Sequence, residues 1–146
     1  KKYYTKSGRG VYGGGGISPD VIEPNDVIYE ESTRKIYFHE DRLLFKYANY
    51  IRVNNMIPSS YNNLMNVYQI KQGDFLSWLN QQNIEYDDEQ IVKIDDWNFI
   101  SKRIKAELAN AIWGRDYYYK ALIESDQQVI RAIAQFDAAS ELLIKK

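Results

Sequence analysis

Most of the chain's eight glycines lie between Gly8 and Gly16. Such a run is unfavourable inside a helix, where each glycine costs roughly 1 kcal/mol relative to alanine, but it permits tight turns and close approach of the backbone. Tyr3 and Tyr4 precede the run, and Val11 and Tyr12 interrupt it with residues of strand propensity. Residues 1–24 are therefore predicted to form a short, glycine-rich β strand or hairpin.

From about Asn25 the apolar residues recur at a period of roughly 3.6, which indicates amphipathic helices. We therefore predict a mainly α fold, in which a multi-helix, bundle-like C-terminal domain over residues 25–146 follows the β segment of residues 1–24. The expected core positions on these helices are Ile36, Leu43, Leu44, Tyr47, Ile51, Leu64, Val67, Tyr68, Ile70, Phe75, Trp78, Leu79, Trp97, Ile100, Ile104, Leu108, Ala111, Ile112, Val129, Ile133, Ala134 and Phe136.

Capping residues and helix breakers give the predicted boundaries. They predict a first helix from Ser32 to Val53, a second from Ser59 or Ser60 to Gly73, and a short third helix capped by Asp74. A single turn that contains Ile91 is expected after Asp87, followed by a long helix from Asp95 or Asp96 to Gly114. Residues 115–123 continue that helix or form a separate one, and the last helix begins at Ser125 with Gln128.

Composition excludes several kinds of chemistry. The chain has 146 residues, a formal net charge of −1, no cysteine and one histidine, His39. Without thiols there are no disulfides, thiol nucleophiles or zinc–thiolate sites. A charge near zero gives no field for nucleic acid, so no nucleic-acid partner is expected. No segment approaches the ~18 apolar residues of a membrane span, so none is expected in this chain.

Three patterns were weighed as binding sites. Gly8 to Gly13 reads GxGxxG, but the dinucleotide fingerprint needs a buried strand before it and a helix directly after it. His39 with Glu40 begins like a zincin motif but lacks its second histidine, and a solvated, helical His39 is expected. The acidic residues at 87–89 and 95–96 lack EF-hand spacing and are expected to cap helices. No catalytic residue, metal site or cofactor is predicted.

The tyrosines at 117–119 lie beside Arg115 and Lys120. Such a group could stack on a ligand or on single-stranded nucleic acid. With the charge near neutral, a packing or interface role is favoured.

The N-terminal stretch resembles a motif of the carboxy-terminal processing, or tail-specific, serine proteases. In that family a strand reading roughly YYTPSGR leads into GxGIxPD and a β-branched pair. Residues 3–9 read YYTKSGR, with lysine where proline is common, and residues 15–21 read GGISPDV. The matching positions, to which the resemblance assigns a structural role, are Tyr4, Gly8, Arg9, Gly15, Gly16, Ile17, Pro19 and Asp20.

The resemblance implies a parent enzyme that cleaves proteins near their C-termini with a serine nucleophile and a lysine base, and that captures substrates through a PDZ domain. In the family both catalytic residues precede the YYTPSGR strand, so they are expected to lie outside this chain. The chain also begins without methionine inside a strand-like pattern, and we expect it to be a piece of a longer protein. A bacterial periplasmic or envelope location is implied as well.

The resemblance further implies the partners. They are the protease core of the same polypeptide, protein substrates of the parent enzyme, and another copy of the chain, because the family assembles through terminal helical segments. Two alternatives remain at this stage. One is a stand-alone helical interaction module with a flexible glycine-rich arm, and the other is a nucleotide-binding enzyme.

Overall fold

A computed structural model describes residues 1–5, 8, 10–14, 19, 21–24, 28–54, 56–91 and 93–144, with backbone alone for residues 142–144. These residues are mainly helical and include one antiparallel hairpin, as the sequence predicts. The elements are β1 (Lys2–Tyr4), β2 (Gly10–Tyr12), α1 (Glu31–Tyr37), α2 (Leu43–Val53), α3 (Tyr61–Asn66), α4 (Gln72–Gln81), α5 (Asp88–Ile91), α6 (Ile94–Trp113), α7 (Arg115–Ile123), α8 (Gln127–Ile133) and α9 (Phe136–Ile144).

The chain divides into two compact units. The first contains Lys1–Asp26 together with Asp126–Lys146, and the second, which we call the helical unit, contains Val27–Ser125. All buried apolar side chains of the described residues lie between Ile36 and Ala121. The hydrophobic core therefore belongs to the helical unit.

The long helix α6 is the centre of the helical unit and packs against α2 and α7. Its row of Ile100, Ile104 and Leu108 is fully buried, as the spacing of four predicts. From the other helices, Leu43, Tyr47, Leu64, Phe75, Trp78 and Leu79 join the same core. Burying each such side chain contributes about 1.5–3 kcal/mol, so the aligned apolar rows are the main source of stability.

The predicted first helix, from Ser32 to Val53, is wrong as a single element. Helix α1 ends at Tyr37 and α2 begins at Leu43. Arg42, the N-cap residue of α2, has a left-handed backbone with φ 51°, which a continuous helix does not accommodate. His39 lies in this break and is not helical, and its Nδ1 accepts a hydrogen bond from the Asp41 N–H at 3.1 Å. The predicted core residues on both sides of the break are nevertheless buried.

The second predicted helix begins correctly but ends early. Ser60 is the N-cap of α3 and its hydroxyl accepts from the Asn63 N–H at 3.1 Å. The helix stops at Asn66, and Gly73 lies in the first turn of α4, so the predicted stop at Gly73 and the cap at Asp74 are wrong. Burial of Ile70 in the connection between the helices outweighs local helix propensity there. Val67 is 67% exposed and not part of the core.

Two predicted boundaries around α6 are confirmed. Asp87 caps the single turn α5, because its carboxylate accepts from the Glu89 N–H at 3.0 Å. Gly114 separates α6 from α7 with φ 96°, a backbone angle that favours glycine. Residues 115–123 therefore form a separate helix.

The predicted last helix is wrong in its cap and its burial. Asp126 is the N-cap of α8 and accepts from the N–H groups of Gln128 and Val129, while the Ser125 hydroxyl donates back to carbonyl oxygens of α7. The chain also breaks between α8 and α9. Ile133 and Phe136 are 58% and 65% exposed, Ala134 is exposed and Val129 is half-buried, so none of the four predicted residues is core.

Candidate functional site

The residues of the protease-like motif lie on and after the hairpin. Tyr4 is the last residue of β1 and is 69% exposed. Gly8 lies in the turn, with φ 80°. Pro19 lines an apolar groove in the first unit, together with Val21, Ile22 and side chains of α8 and α9. The other five motif positions, Arg9, Gly15, Gly16, Ile17 and Asp20, fall outside the described residues.

The hairpin register defines which backbone groups face outward. Lys2 pairs with Tyr12, Tyr3 with Val11 and Tyr4 with Gly10. The Gly13 N–H donates to the Lys1 carbonyl at 2.9 Å. Hydrogen-bonded pairs alternate with non-bonded ones in an antiparallel ladder. The backbone N–H and C=O groups of Tyr3 and Val11 therefore bond to each other, between the two strands. The backbone groups of Lys2 and Tyr4 therefore face one edge, and those of Gly10 and Tyr12 face the other.

Both faces of the hairpin are also exposed, along all six strand residues. The Lys2 ammonium lies 5.6 Å from the ring centre of Tyr4 and 5.9 Å from that of Tyr12. On the opposite face the Tyr3 ring lies over Gly13, where an added Cβ would be 2.4 Å from the ring. Among the described residues, both edges of this two-stranded sheet are unpaired. An isolated two-stranded hairpin is marginally stable in water, so these edges lie on a weakly held element.

A second candidate site lies within the helical unit, where α6 and α7 meet the break between α1 and α2. We call it the arginine pocket. It has a volume of about 240 Å³ and is lined by Tyr37, Phe38, Arg42, Leu44, Phe45, Arg103, Glu107 and Tyr118. Two guanidinium groups, one carboxylate and four aromatic rings thus converge on one small recess.

The Arg103 guanidinium lies beside two aromatic rings. Its guanidinium carbon lies 5.4 Å from the ring centre of Tyr37 and 5.2 Å from that of Phe99. A cation over ring faces gains a cation–π attraction, while the guanidinium N–H groups remain hydrogen-bond donors. No ion pair within the described part of the chain includes Arg103.

Arg42 reaches the pocket from the strained N-cap position of α2. Its guanidinium carbon lies 4.6 Å from the ring centre of Phe45, and its Nη2 is 3.9 Å from Glu107 Oε1. That distance is longer than the ~2.8 Å of a charge-assisted hydrogen bond. The left-handed backbone of a non-glycine residue costs about 1–3 kcal/mol, so the fold tolerates strain at the rim of this pocket.

Glu107 and Tyr118 are the titratable groups of the pocket besides its arginines and Tyr37. The Glu107 side chain is 15% exposed, and burial raises its pKa, while Arg42, Asn110 and Arg103 oppose that shift. Burial also raises the pKa of the Tyr118 hydroxyl, an effect to which the Glu107 charge adds. Burial, and not the neighbouring charges, therefore disfavours ionisation of Glu107, because Arg42 and Arg103 oppose the shift of its pKa.

The other groups singled out in the sequence have structural roles. Asp96 is 4% exposed, and its carboxylate accepts from the Glu30 N–H at 2.9 Å, which ties α6 to the start of α1. Arg115 donates to the Tyr119 hydroxyl at 2.9 Å. Within the described ranges, no three acidic or histidine side chains come together as a metal site, and every helix is too short or too polar to cross a lipid bilayer.

The arginine pocket does not follow from the sequence patterns described above. Its residues come from three separate segments, and of these residues the sequence pointed to Tyr118 as a candidate for ligand stacking and to Leu44 as a core position. The available signal was the i,i+4 spacing of Arg103 and Glu107 on one predicted helix, which places both side chains on the same face.

Comparisons with known proteins identified no relative of this chain. No family model matches the chain, and the searches of curated proteins and of solved structures gave no match either.

Proposed function

We propose that this chain is the C-terminal, non-catalytic region of a bacterial tail-specific serine endopeptidase, and that its hairpin pairs with the sheet of the protease core. The supporting observation is that the family's string of residues begins on a hairpin whose two edges are unpaired within the described residues. An exposed sheet edge is a template for adding a strand.

In this proposal the nucleophile and the base belong to the upstream part of the same polypeptide. The helical unit has a structural, regulatory or oligomerising role, and protein substrates are bound and cleaved by the parent enzyme. A periplasmic or envelope location follows from the resemblance.

A stand-alone helical interaction module is the second candidate. It is favoured by the hydrophobic core, whose buried apolar side chains all lie in the helical unit among the described residues. The coding sequence upstream of Lys1 distinguishes the protease region from the stand-alone module. A PDZ-like segment and a Ser/Lys pair within about 200 residues, one to two domains' length, are expected for the protease. A signal peptide directly before Lys1 would favour the module.

The pairing itself can be tested with the upstream region produced separately and mixed with this chain. We expect the amides of β1 and β2 to exchange rapidly in the chain alone, because the hairpin is marginal, and to become protected on mixing. Strong protection of β1 and β2 in the unmixed monomer would contradict the proposal.

Proline substitutions identify the edge that is used. Tyr12→Pro and Tyr4→Pro each remove an outward N–H while leaving the inward Tyr3–Val11 pair intact. One of them is expected to abolish binding of the upstream region. Tyr12→Phe and Tyr4→Phe retain the backbone N–H and serve as matched controls. If both proline variants bind as the unaltered chain does, strand addition at the hairpin is wrong.

A further inference from the structure

We propose that the arginine pocket binds a small monocarboxylic acid that carries an aromatic or branched apolar group. This inference does not rest on the proposed function, because it concerns the helical unit alone and no residue of the hairpin. It is carried by the arrangement of charge, by the shape of the recess and by the strain at its rim.

The charge of the recess favours an anion. Arg42 and Arg103 bring two permanent positive charges and Glu107 one carboxylate, so one positive charge is left over. The Arg42–Glu107 contact at 3.9 Å is loose, and Arg103 has no ion-pair partner within the described residues. A guanidinium presents a planar fork of donors that matches the two oxygens of a carboxylate.

The position of Arg103 suits this role. Its contacts with the rings of Tyr37 and Phe99 restrict the guanidinium, so less side-chain freedom remains to be lost when a ligand binds. Tyr118 also lines the recess and adds its hydroxyl as a further polar group. A bound carboxylate would therefore meet donors whose positions are already restricted.

The walls of the recess define the rest of the ligand. Phe38 is 76% exposed, and together with Tyr37, Leu44 and Phe45 it gives the pocket an apolar side. The volume of about 240 Å³ lies below the ~300–1,000 Å³ of pockets for drug-sized molecules. The ligand class is therefore an acid of about ten non-hydrogen atoms, with affinity in roughly the millimolar range.

The strained backbone at Arg42 is the third observation. A left-handed arginine at the N-cap of a helix persists only where its surroundings hold it, and such outliers cluster at ligand sites. Here the strain brings the Arg42 guanidinium over Phe45 and toward Glu107.

The test uses phenylacetate and its neutral isostere phenylacetamide, titrated into the full chain and followed by amide NMR shifts. Phenylacetate is expected to shift residues of the arginine pocket with saturation. Phenylacetamide is expected to bind at least tenfold more weakly, since it lacks the charge that the guanidinium groups recognise. Equal binding of the two probes, or no saturable shift at the pocket, would overturn the proposal.

Variants assign the binding to individual residues. Arg103→Gln is expected to weaken phenylacetate at least tenfold, and Arg103→Lys by less, because the charge remains while the fork is lost. Glu107→Gln is expected to tighten binding several-fold, because it removes the competing carboxylate. Because Glu107→Gln keeps both arginines, its result does not depend on whether the fold tolerates the loss of an arginine.

Arg115→Gln is the matched control. Arg115 also lies over a tyrosine ring, 5.4 Å from the centre of Tyr119, but it does not line the pocket. Its variant is expected to bind phenylacetate as the unaltered chain does. An equal loss in the Arg103 and Arg115 variants, or weaker binding in Glu107→Gln, would refute the assignment.

Discussion

Thr33 is buried without a hydrogen bond for its hydroxyl among the described residues. A buried hydroxyl that lacks a partner costs about 1–3 kcal/mol relative to its state in water. The methyl group of the same side chain contributes packing in a fully buried position. The hydroxyl and the methyl group of Thr33 thus have opposite effects on stability.

We expect Thr33→Val to raise the free energy of unfolding by about 1 kcal/mol, because valine keeps the shape and removes the unsatisfied hydroxyl. Thr33→Ser is the matched control, since it keeps the hydroxyl and loses the methyl, and it is expected to lower stability by about 1 kcal/mol. Urea unfolding followed by circular dichroism measures both. A loss of stability in Thr33→Val would show that the hydroxyl has a partner.

The buried carboxyl of Glu107 is expected to make the free energy of unfolding depend on pH. Burial raises the pKa of its carboxyl in the folded chain, so the folded protein binds this proton more tightly than the unfolded chain does. Protonation of Glu107 then stabilises the fold fully below the unfolded value of about 4.3. That contribution is lost as the pH rises through the raised folded-state pKa.

Glu107→Gln removes this titration. Compared with the unaltered chain, the variant is expected to gain stability progressively as the pH rises from 4 to 7, and to level off above the folded-state pKa. Parallel unfolding curves over this pH range give the difference directly. A difference that stays constant, or that falls with rising pH, would contradict the assigned direction of the shift.

At the scale of elements, the connections between helices depend on single backbone conformations. Gly114 has φ 96° and ψ 178° between α6 and α7, a region that side chains with a Cβ rarely adopt. No atom lies within 4 Å of a Cβ built at this position, so only backbone strain penalises a substitution. Gly73, in the first turn of α4, has equally open surroundings but no positive φ.

These two glycines make a matched pair. Gly114→Ala is expected to destabilise the chain by about 1–3 kcal/mol through backbone strain. Gly73→Ala is expected to stabilise it by about 0.5–1 kcal/mol, because alanine restricts the unfolded chain and suits a helix. Thermal unfolding of both variants in one buffer checks the opposite signs. Shifts in the same direction would contradict the backbone argument.

The comparison of sequence with structure is clearest among the helices. The row of Ile100, Ile104 and Leu108 could be predicted, because one helical face repeats within a single segment. The break after α1 could not, because it depends on the left-handed Arg42 and on contacts between distant residues, such as the Glu30 N–H with Asp96. The arginine pocket could not be predicted for the same reason, since Arg42 comes from a different element than Arg103 and Glu107.

The N-terminal hairpin shows the opposite case. Strand propensity at Tyr3 and Val11, with glycines at the turn, was enough to predict a short β strand or hairpin, and the structure pairs these residues directly. The pattern could not indicate which backbone groups face outward, because a shift of one residue in the register exchanges the inward and outward sets.

For the whole molecule, stability is concentrated in one unit. Within the described part of the chain, the buried apolar side chains lie between Ile36 and Ala121, inside Val27–Ser125. Helix α8, in the other unit, has no buried residue. The hairpin residues are exposed as well.

A fragment of residues 27–125 is therefore expected to fold cooperatively by itself, with a melting temperature within a few degrees of that of the full chain. Circular dichroism melts of the two proteins make the comparison, and the double-proline variant Ile100→Pro with Ile104→Pro provides an unfolded control. A fragment that melts without a transition would show that the terminal segments contribute to the core.

The placement of the tryptophans has an optical consequence. Trp78, Trp97 and Trp113 are the chain's three tryptophans, and all belong to the helical unit. Trp78 is 6% exposed and packs 5.2 Å from Tyr47 and 6.2 Å from Phe75, measured between ring centres. Tryptophan emission therefore reports on the helical unit alone, whereas tyrosine emission does not isolate the hairpin, because ten of the chain's 13 tyrosines lie within Val27–Ser125. The chain thus carries an intrinsic fluorescent label for one of its two units, the helical unit.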